Sequence, residues 1–134
     1  MEEERAGRVP PNNLDAERSV LGAMMQDHEA LSLAIEALRA EDFYHPANRE
    51  LFDAMHRLQS AGQPVDIVTV DEELTRRGTL EGVGGIQYVV DISRYVPTTA
   101  NARAYIQIVA EKATLRRLIH AGDEIVQASY AQQE

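Results

Sequence analysis

Apolar residues recur along most of the chain at the three- and four-residue spacing that is typical of amphipathic α-helices. Residues 1–13 are polar and include Pro10 and Pro11, so they are expected to form a flexible, extended arm. Segments with helical spacing follow, separated by loops rich in polar residues, glycine and proline. The predicted helices are residues 14–26, 28–40, 46–61 and 67–77, and a stretch around 88–95 that Pro97 ends. The pattern therefore predicts a bundle of about five short helices.

Residues at the segment boundaries agree with these helices. Asn13 and Asp27 precede apolar stripes and are expected to cap the first two helices with their side-chain oxygens. Pro46 suits the first position of the third helix, because an N–H there has no intrahelical partner. Gly22 lowers the helix propensity of the first segment, and the close approach of another helix would offset that cost.

Residues 65–77 allow two interpretations. The run Val65–Val70 contains enough β-branched residues for a strand. Thr69 and Glu72 have the three-residue spacing of a helix capping box, which favours a helix. We predict a helix over 67–77.

The last segment is the longest. No proline occurs between Ala100 and Tyr130, which predicts one helix of about 30 residues, roughly 45 Å long. A seam along it steps by four and three residues: Ile108, Lys112, Leu115, Ile119, Gly122, Val126 and Ser129. Because this length exceeds the core of a small domain, only the first half can pack on its own domain. The second half is expected to project and to need a partner.

The predicted fold class is all-α, a compact bundle followed by one long C-terminal helix. The 134 residues suffice for one domain. We divide the chain into an arm (1–13), a helical globular domain (14–98) and a long helix (99–134). No linker indicates a second domain.

Charge and composition exclude several classes of function. The net charge is −9, all of it within residues 1–98, which does not suit a protein that grips a polyanion. The chain has no cysteine for disulfides or thiol chemistry. No apolar run approaches the ~20 residues of a membrane span. The N-terminus, Met1-Glu2-Glu3-Glu4, has the wrong charge for a targeting signal, so a cytoplasmic location is expected.

The sequence offers little catalytic chemistry. Its histidines lack a metal-site spacing, and its neighbouring carboxylates do not face each other on a helix. The only lysine is Lys112, and no GxxxxGK[ST] phosphate loop is present. Gly82-Val83-Gly84-Gly85 fails the dinucleotide fingerprint, since Gln87 takes the third glycine position, and is predicted to be a flexible connector. We expect no catalytic residue, cofactor or metal, and a stand-alone enzyme is the weakest hypothesis.

A small helical DNA-binding module is an alternative. It depends on a basic stretch in the last helix, which neighbouring acidic residues offset. The stretch contains Arg103, Lys112, Arg116, Arg117 and His120.

Two features favour protein–protein contact. One is the unpaired seam, and the other is a set of aromatic residues at expected loop positions, Phe43, Tyr44 and Tyr88. Packing of these aromatic side chains in the core is the competing interpretation.

Short motifs follow one another in a specific order from residue 8 to about residue 130. They are Val9–Glu17, Ser19–Gly22, Asp42–Tyr44, Pro64–Val70, Gly84–Tyr88, Pro97–Asn101, Ile108–Lys112 and Leu115–Ile119. Each motif alone is weak, but together and in register they resemble the N-terminal domain of the bacterial replicative DNA helicases, the DnaB family.

This resemblance implies a non-catalytic, all-helical collar domain, with the last helix as the first arm of a helical hairpin. The parent of such a domain is a hexamer that unwinds duplex DNA, binding ATP and Mg in a motor domain that this chain lacks. The implied partners are a second copy of the chain, in a trimer of dimers, the C-terminal helicase-binding domain of primase, and a helicase loader. DNA contact would occur only through the parent ring, and no membrane is involved.

The resemblance also implies two sets of contact residues. Those implied for primase are Tyr88, Ile119, Ile125 and Asp15, the last at a position where the family often has Glu. Those implied for the dimer are Leu115, Leu118, Ile119 and Val126. Ile119 belongs to both sets, so the sequence leaves open how the two partners share this helix.

Overall fold

The computed structural model describes residues 8–132, which form seven α-helices and no strand. The all-α prediction is confirmed. Most of the predicted arm lies outside the described residues. The helices are α1 (Leu14–Gln26), α2 (His28–Ala37), α3 (Pro46–Ser60), α4 (Ile67–Arg77), α5 (Leu80–Val83), α6 (Gly85–Ser93) and α7 (Ala102–Gln132). A short 3-10 turn, Ala40–Asp42, lies between α2 and α3.

The predicted helix starts are largely confirmed. Asn13 Oδ1 accepts a hydrogen bond from the backbone N–H of Ala16 at 2.9 Å, and Asp27 caps α2 in the same way. Pro46 is the first residue of α3. The helical interpretation of 67–77 is also confirmed.

The capping box of α4 was assigned to the wrong residues. Asp66 and Thr69 form it: each side chain accepts a hydrogen bond from the other's backbone N–H at 2.9 Å. The predicted pair of Thr69 and Glu72 lies one turn too far along the chain, because α4 already begins at Ile67.

Two further predictions need correction. The second helix ends at Ala37 rather than near Ala40, because Leu38 takes an extended conformation. The predicted flexible connector contains the end of α5, and Gly84 and Gly85 have φ angles of +113° and +76°. These left-handed conformations favour glycine and turn the chain directly into α6.

The core lies between α1, α2, α3, α4, α6 and the first part of α7. The predicted apolar stripes point into it, with Val20, Leu51 and Met55 almost fully buried. A Cβ atom on Gly22 would lie 2.6 Å from the carbonyl oxygen of Ile92. The glycine therefore permits the close contact between α1 and α6 that its sequence position predicted.

α7 packs against α1 and α2 over its first three turns. Its buried residues are Ala102, Ile106, Val109 and Ala113. This face differs from the predicted seam. At about 100° of rotation per residue, Leu115, Gly122 and Val126 lie on the side of the helix opposite Ile106 and Ala113.

None of the described helices is long and apolar enough to cross a membrane.

Candidate functional site

The projecting half of α7 carries six of the ten large apolar residues that are exposed among the described residues. Ala113 is the last buried residue of this helix, and the 19 residues that follow extend about 28 Å at 1.5 Å per residue. The exposed apolar side chains in this half form what we call the α7 stripe: Leu115, Leu118, Ile119, Ile125, Val126 and Tyr130, each 44–68% exposed. All four residues predicted for the dimer lie in this stripe.

Two arginines fix α7 where it leaves the globule. Arg116 donates from Nη1 to the carbonyl oxygen of Pro11 at 2.7 Å and from Nη2 to that of Asp42 at 2.6 Å. Its guanidinium also lies 5.5 Å from the centre of the Tyr44 ring. Arg117 donates to Asp42 Oδ1 at 2.9 Å. Burial lowers the pKa of Arg116, and the carboxylates of Glu17 and Asp42 oppose that effect.

These contacts weaken the DNA-binding alternative. Arg116 and Arg117, at the centre of the predicted basic stretch, direct their donors at carbonyl and carboxylate oxygens of the globule. Backbone phosphates of DNA would have to compete for these donors.

Within residues 8–132, no group of three or more histidine or acidic residues could hold a metal ion.

A second surface, which we call the α1–α6 patch, consists of Asp15, Arg18, Tyr88 and Tyr95. The Tyr95 hydroxyl donates to Asp15 Oδ1, and Arg18 Nη1 lies 3.8 Å from the same oxygen. The Arg18 guanidinium is 6.0 Å from the centre of the Tyr95 ring. Burial raises the pKa of Tyr88, and hydrogen bonding by Arg18 opposes the shift. Arg18 therefore joins Asp15 and Tyr88, two of the residues predicted for primase.

The other two predicted primase residues belong to a different region. Ile119 and Ile125 lie in the α7 stripe, and Ile125 is about 18 Å along the helix from Ala113 at 1.5 Å per residue. The four residues thus divide between two surfaces, the α1–α6 patch and the α7 stripe.

Beneath the α1–α6 patch lies a buried polar cluster that the sequence analysis missed. The Glu17 side chain is 2% exposed, and its carboxylate accepts from the backbone N–H of Tyr44 at 2.6 Å and of His45 at 3.3 Å. It also accepts from Asn48 Nδ2 at 2.9 Å. Asn48 Oδ1 in turn accepts from the Tyr88 hydroxyl at 2.6 Å. We call Glu17, Asn48 and Tyr88 the polar relay.

The aromatic residues have divided roles. Phe43 is fully buried and packs on Phe52 with ring centres 5.1 Å apart, so the core interpretation is correct for it. Tyr44 is half-buried beneath Arg116. Tyr88 lies on α6 rather than in a loop and is also half-buried.

Comparisons with known proteins give a consistent result. Residues 9–111 match the family model of the DnaB-like helicase N-terminal domain. The chain is 50% identical over 125 residues to the replicative DNA helicase DnaB of Mycobacterium leprae, covering 93% of this chain and 21% of that protein. It is 46% identical over 127 residues to the replicative DNA helicase DnaC of Bacillus subtilis, covering 95% and 28%. The chain thus spans about a quarter of the length of these relatives.

Solved structures extend the match to the fold. The crystal structure of the N-terminal domain of DnaB helicase from Mycobacterium tuberculosis superimposes with a TM-score of 0.91 at 48% identity, covering 94% of this chain and 90% of that one. A structure of a DnaB-like replicative helicase, described together with its interactions with primase, has a TM-score of 0.76 at 26% identity and covers 89% and 28%. On sequence and fold together, the chain belongs to the DnaB-like helicase N-terminal domain family.

Proposed function

We propose that this chain is the non-catalytic collar domain of a replicative DNA helicase, which assembles with copies of itself and docks primase. The observation that carries the proposal is the α7 stripe, an apolar surface on a helix that the globule does not cover. The relatives are helicases several times longer. ATP and Mg binding, and the unwinding of duplex DNA at a cytoplasmic replication fork, belong in this proposal to other parts of such a protein.

Self-association uses the α7 stripe in this proposal. Its residues lie within about 140° of the circumference of α7 at 100° per residue, so two α7 helices can bury them against each other over several turns. Three such dimers would form the collar of a hexameric ring. A helicase loader is a further partner of the assembled ring.

Primase docking uses the α1–α6 patch together with part of the α7 stripe. The solved relative described with its interactions with primase supports this partner. Because Tyr88 and Asp15 lie on one surface and Ile119 and Ile125 on the other, a primase domain that touches all four must contact both. Half-buried tyrosines are frequent anchors in such interfaces, since they combine a large ring with little flexibility.

Ile125→Asp tests self-association, with Gln127→Asp as its control. Both positions are exposed on the projecting half of α7, but Gln127 lies on the side of the helix opposite Ile125. We expect light scattering to show a self-associating wild type, an unchanged control and an Ile125→Asp variant shifted to monomer. A wild type that stays monomeric at high concentration would contradict the assembly part of the proposal.

Tyr88→Ala tests primase docking, with Val68→Ala, at an exposed residue of α4, as its control. We expect a loss of at least about tenfold in affinity for the C-terminal helicase-binding domain of primase, with unchanged helicity. Calorimetry and circular dichroism measure the two quantities. Equal affinities of wild type and Tyr88→Ala would remove Tyr88 from the docking surface.

A further inference from the structure

The Tyr88 hydroxyl faces the interior of the globule. It donates to Asn48, which is fully buried. The Tyr88 side chain is half-buried, and Arg18 of the α1–α6 patch also hydrogen-bonds its hydroxyl. Asn48 is therefore the buried partner of the Tyr88 hydroxyl, and Arg18 is its partner on the surface side.

Asn48 itself has little freedom. Its Nδ2 donates to Glu17 Oε1 at 2.9 Å, so its amide cannot rotate without breaking a hydrogen bond to a buried carboxylate. Glu17 is fixed in turn by the backbone N–H groups of Tyr44 and His45. The polar relay thus anchors Tyr88 to three parts of the fold: α1, the loop before α3, and α3 itself.

We propose that Glu17 and Asn48 are positioning residues for partner docking, which hold the Tyr88 ring in one orientation on the α1–α6 patch. This inference rests on the proposed function, in which Tyr88 contacts primase. A partner that meets a preoriented ring does not lose affinity to ordering it. Glu17 and Asn48 act through Tyr88 and are themselves too buried to touch the partner.

A double-mutant cycle tests the inference with this chain and the C-terminal helicase-binding domain of primase. Tyr88→Phe removes the hydroxyl and keeps the ring, and Asn48→Ala removes the acceptor. We expect each variant to weaken binding by about fivefold, within the range for one hydrogen bond. The double variant is expected to be no weaker than Asn48→Ala within about twofold, because both changes break the same bond. Tyr105→Phe, at a half-buried tyrosine of α7, is the control and should leave affinity unchanged.

Other outcomes of the cycle would overturn the inference. If the two effects multiply to about 25-fold, the hydroxyl and Asn48 act independently. If Tyr88→Phe binds as tightly as wild type, the hydrogen bond does not orient the ring for docking. Asn48→Ala is expected to lower the melting temperature, because it leaves the buried Glu17 carboxylate without one of its donors. Affinities are therefore compared at a temperature at which circular dichroism shows every variant fully folded, and a loss of affinity that disappears under that condition would mean merely structural damage.

A second measurement needs no primase. Scalar couplings of the Tyr88 Hβ atoms report its χ1 rotamers, and we expect one rotamer in wild type and averaging in Asn48→Ala. A single rotamer in the folded variant would overturn the inference. If Asn48→Ala does not fold, Asn48→Leu, which fills a similar volume and also lacks the acceptor, replaces it in both measurements. Failure of wild type to bind primase, with rotamer averaging in the variant, would refute the proposed function and leave the anchoring of Tyr88 established.

Discussion

The two halves of α7 form one continuous helix but differ in what they contact. Up to Ala113, one face of the helix is buried, and this half packs against α1 and α2. Beyond that residue, an apolar stripe of similar character is exposed on the other side of the helix. Apolar spacing alone therefore does not decide which side of a long helix joins the core of its own domain.

The boundary between the halves is marked by charge. Arg116 and Arg117 follow the last buried residue within one turn and bond to Pro11 and Asp42. These bonds set the direction in which the helix leaves the globule. The projecting half depends on this attachment, because its own side chains bury little against the described part of the chain.

Replacing valine by aspartate in the two halves should change two different properties: the stability of the fold in the buried half and self-association in the projecting half. Val109 is 2% exposed and Val126 is 48% exposed. Val109→Asp places an unpaired charge in the core and is expected to lower the free energy of unfolding by about 4 kcal/mol or more. Val126→Asp should leave that quantity within about 0.5 kcal/mol of wild type and weaken self-association instead.

Urea denaturation followed by circular dichroism measures both variants, at the lowest workable protein concentration so that dissociation contributes least. Similar destabilisation by the two substitutions would mean that the projecting half packs on its own globule. The contrast between the halves would then be lost.

The sequence predicted most of the fold because helix boundaries and apolar faces are local features. Asn13, Asp27 and Pro46 each mark a helix start that the structure contains. The errors concerned the end of α2, the capping box of α4 and the glycine pair after α5. The glycine pair after α5 indicated flexibility, whereas its left-handed conformations make a tight turn.

The polar relay and the attachment of α7 could not be predicted, because they join residues far apart in the chain. Arg116 contacts Pro11 across 105 positions. Glu17 is of a residue type that is almost never fully buried unless paired, yet it precedes the buried residues Val20 and Leu21 by three and four positions. This spacing places the carboxylate on the core face and was the one local signal of its burial.

Arg116→Ala is expected to weaken the attachment of α7 to the globule. The change removes two short hydrogen bonds to backbone carbonyls, and we expect the free energy of unfolding to fall by about 2 kcal/mol. Arg103→Ala, at an exposed position in the first turn of α7, is the control and should change it by less than about 0.5 kcal/mol. Urea denaturation gives both values, and equal values for the two variants would show that Arg116 does not hold the helix.

The smallest expected effect comes from replacing a single glycine in the projecting half of α7. A Cβ atom on Gly122 meets nothing within 4 Å, so Gly122→Ala should stabilise the projecting half by about 1 kcal/mol through helix propensity. Hydrogen exchange of the amides around Gly122 measures this gain, and the melting temperature of the globule should not move. Gly22→Ala makes the same chemical change in α1, but its Cβ would lie 2.6 Å from the carbonyl oxygen of Ile92, and we expect it to destabilise the globule. Because Gly122 lies within the α7 stripe, the exchange is measured at a protein concentration at which the chain is monomeric. Destabilisation of that monomer by Gly122→Ala would place another surface of the same chain against this side of α7.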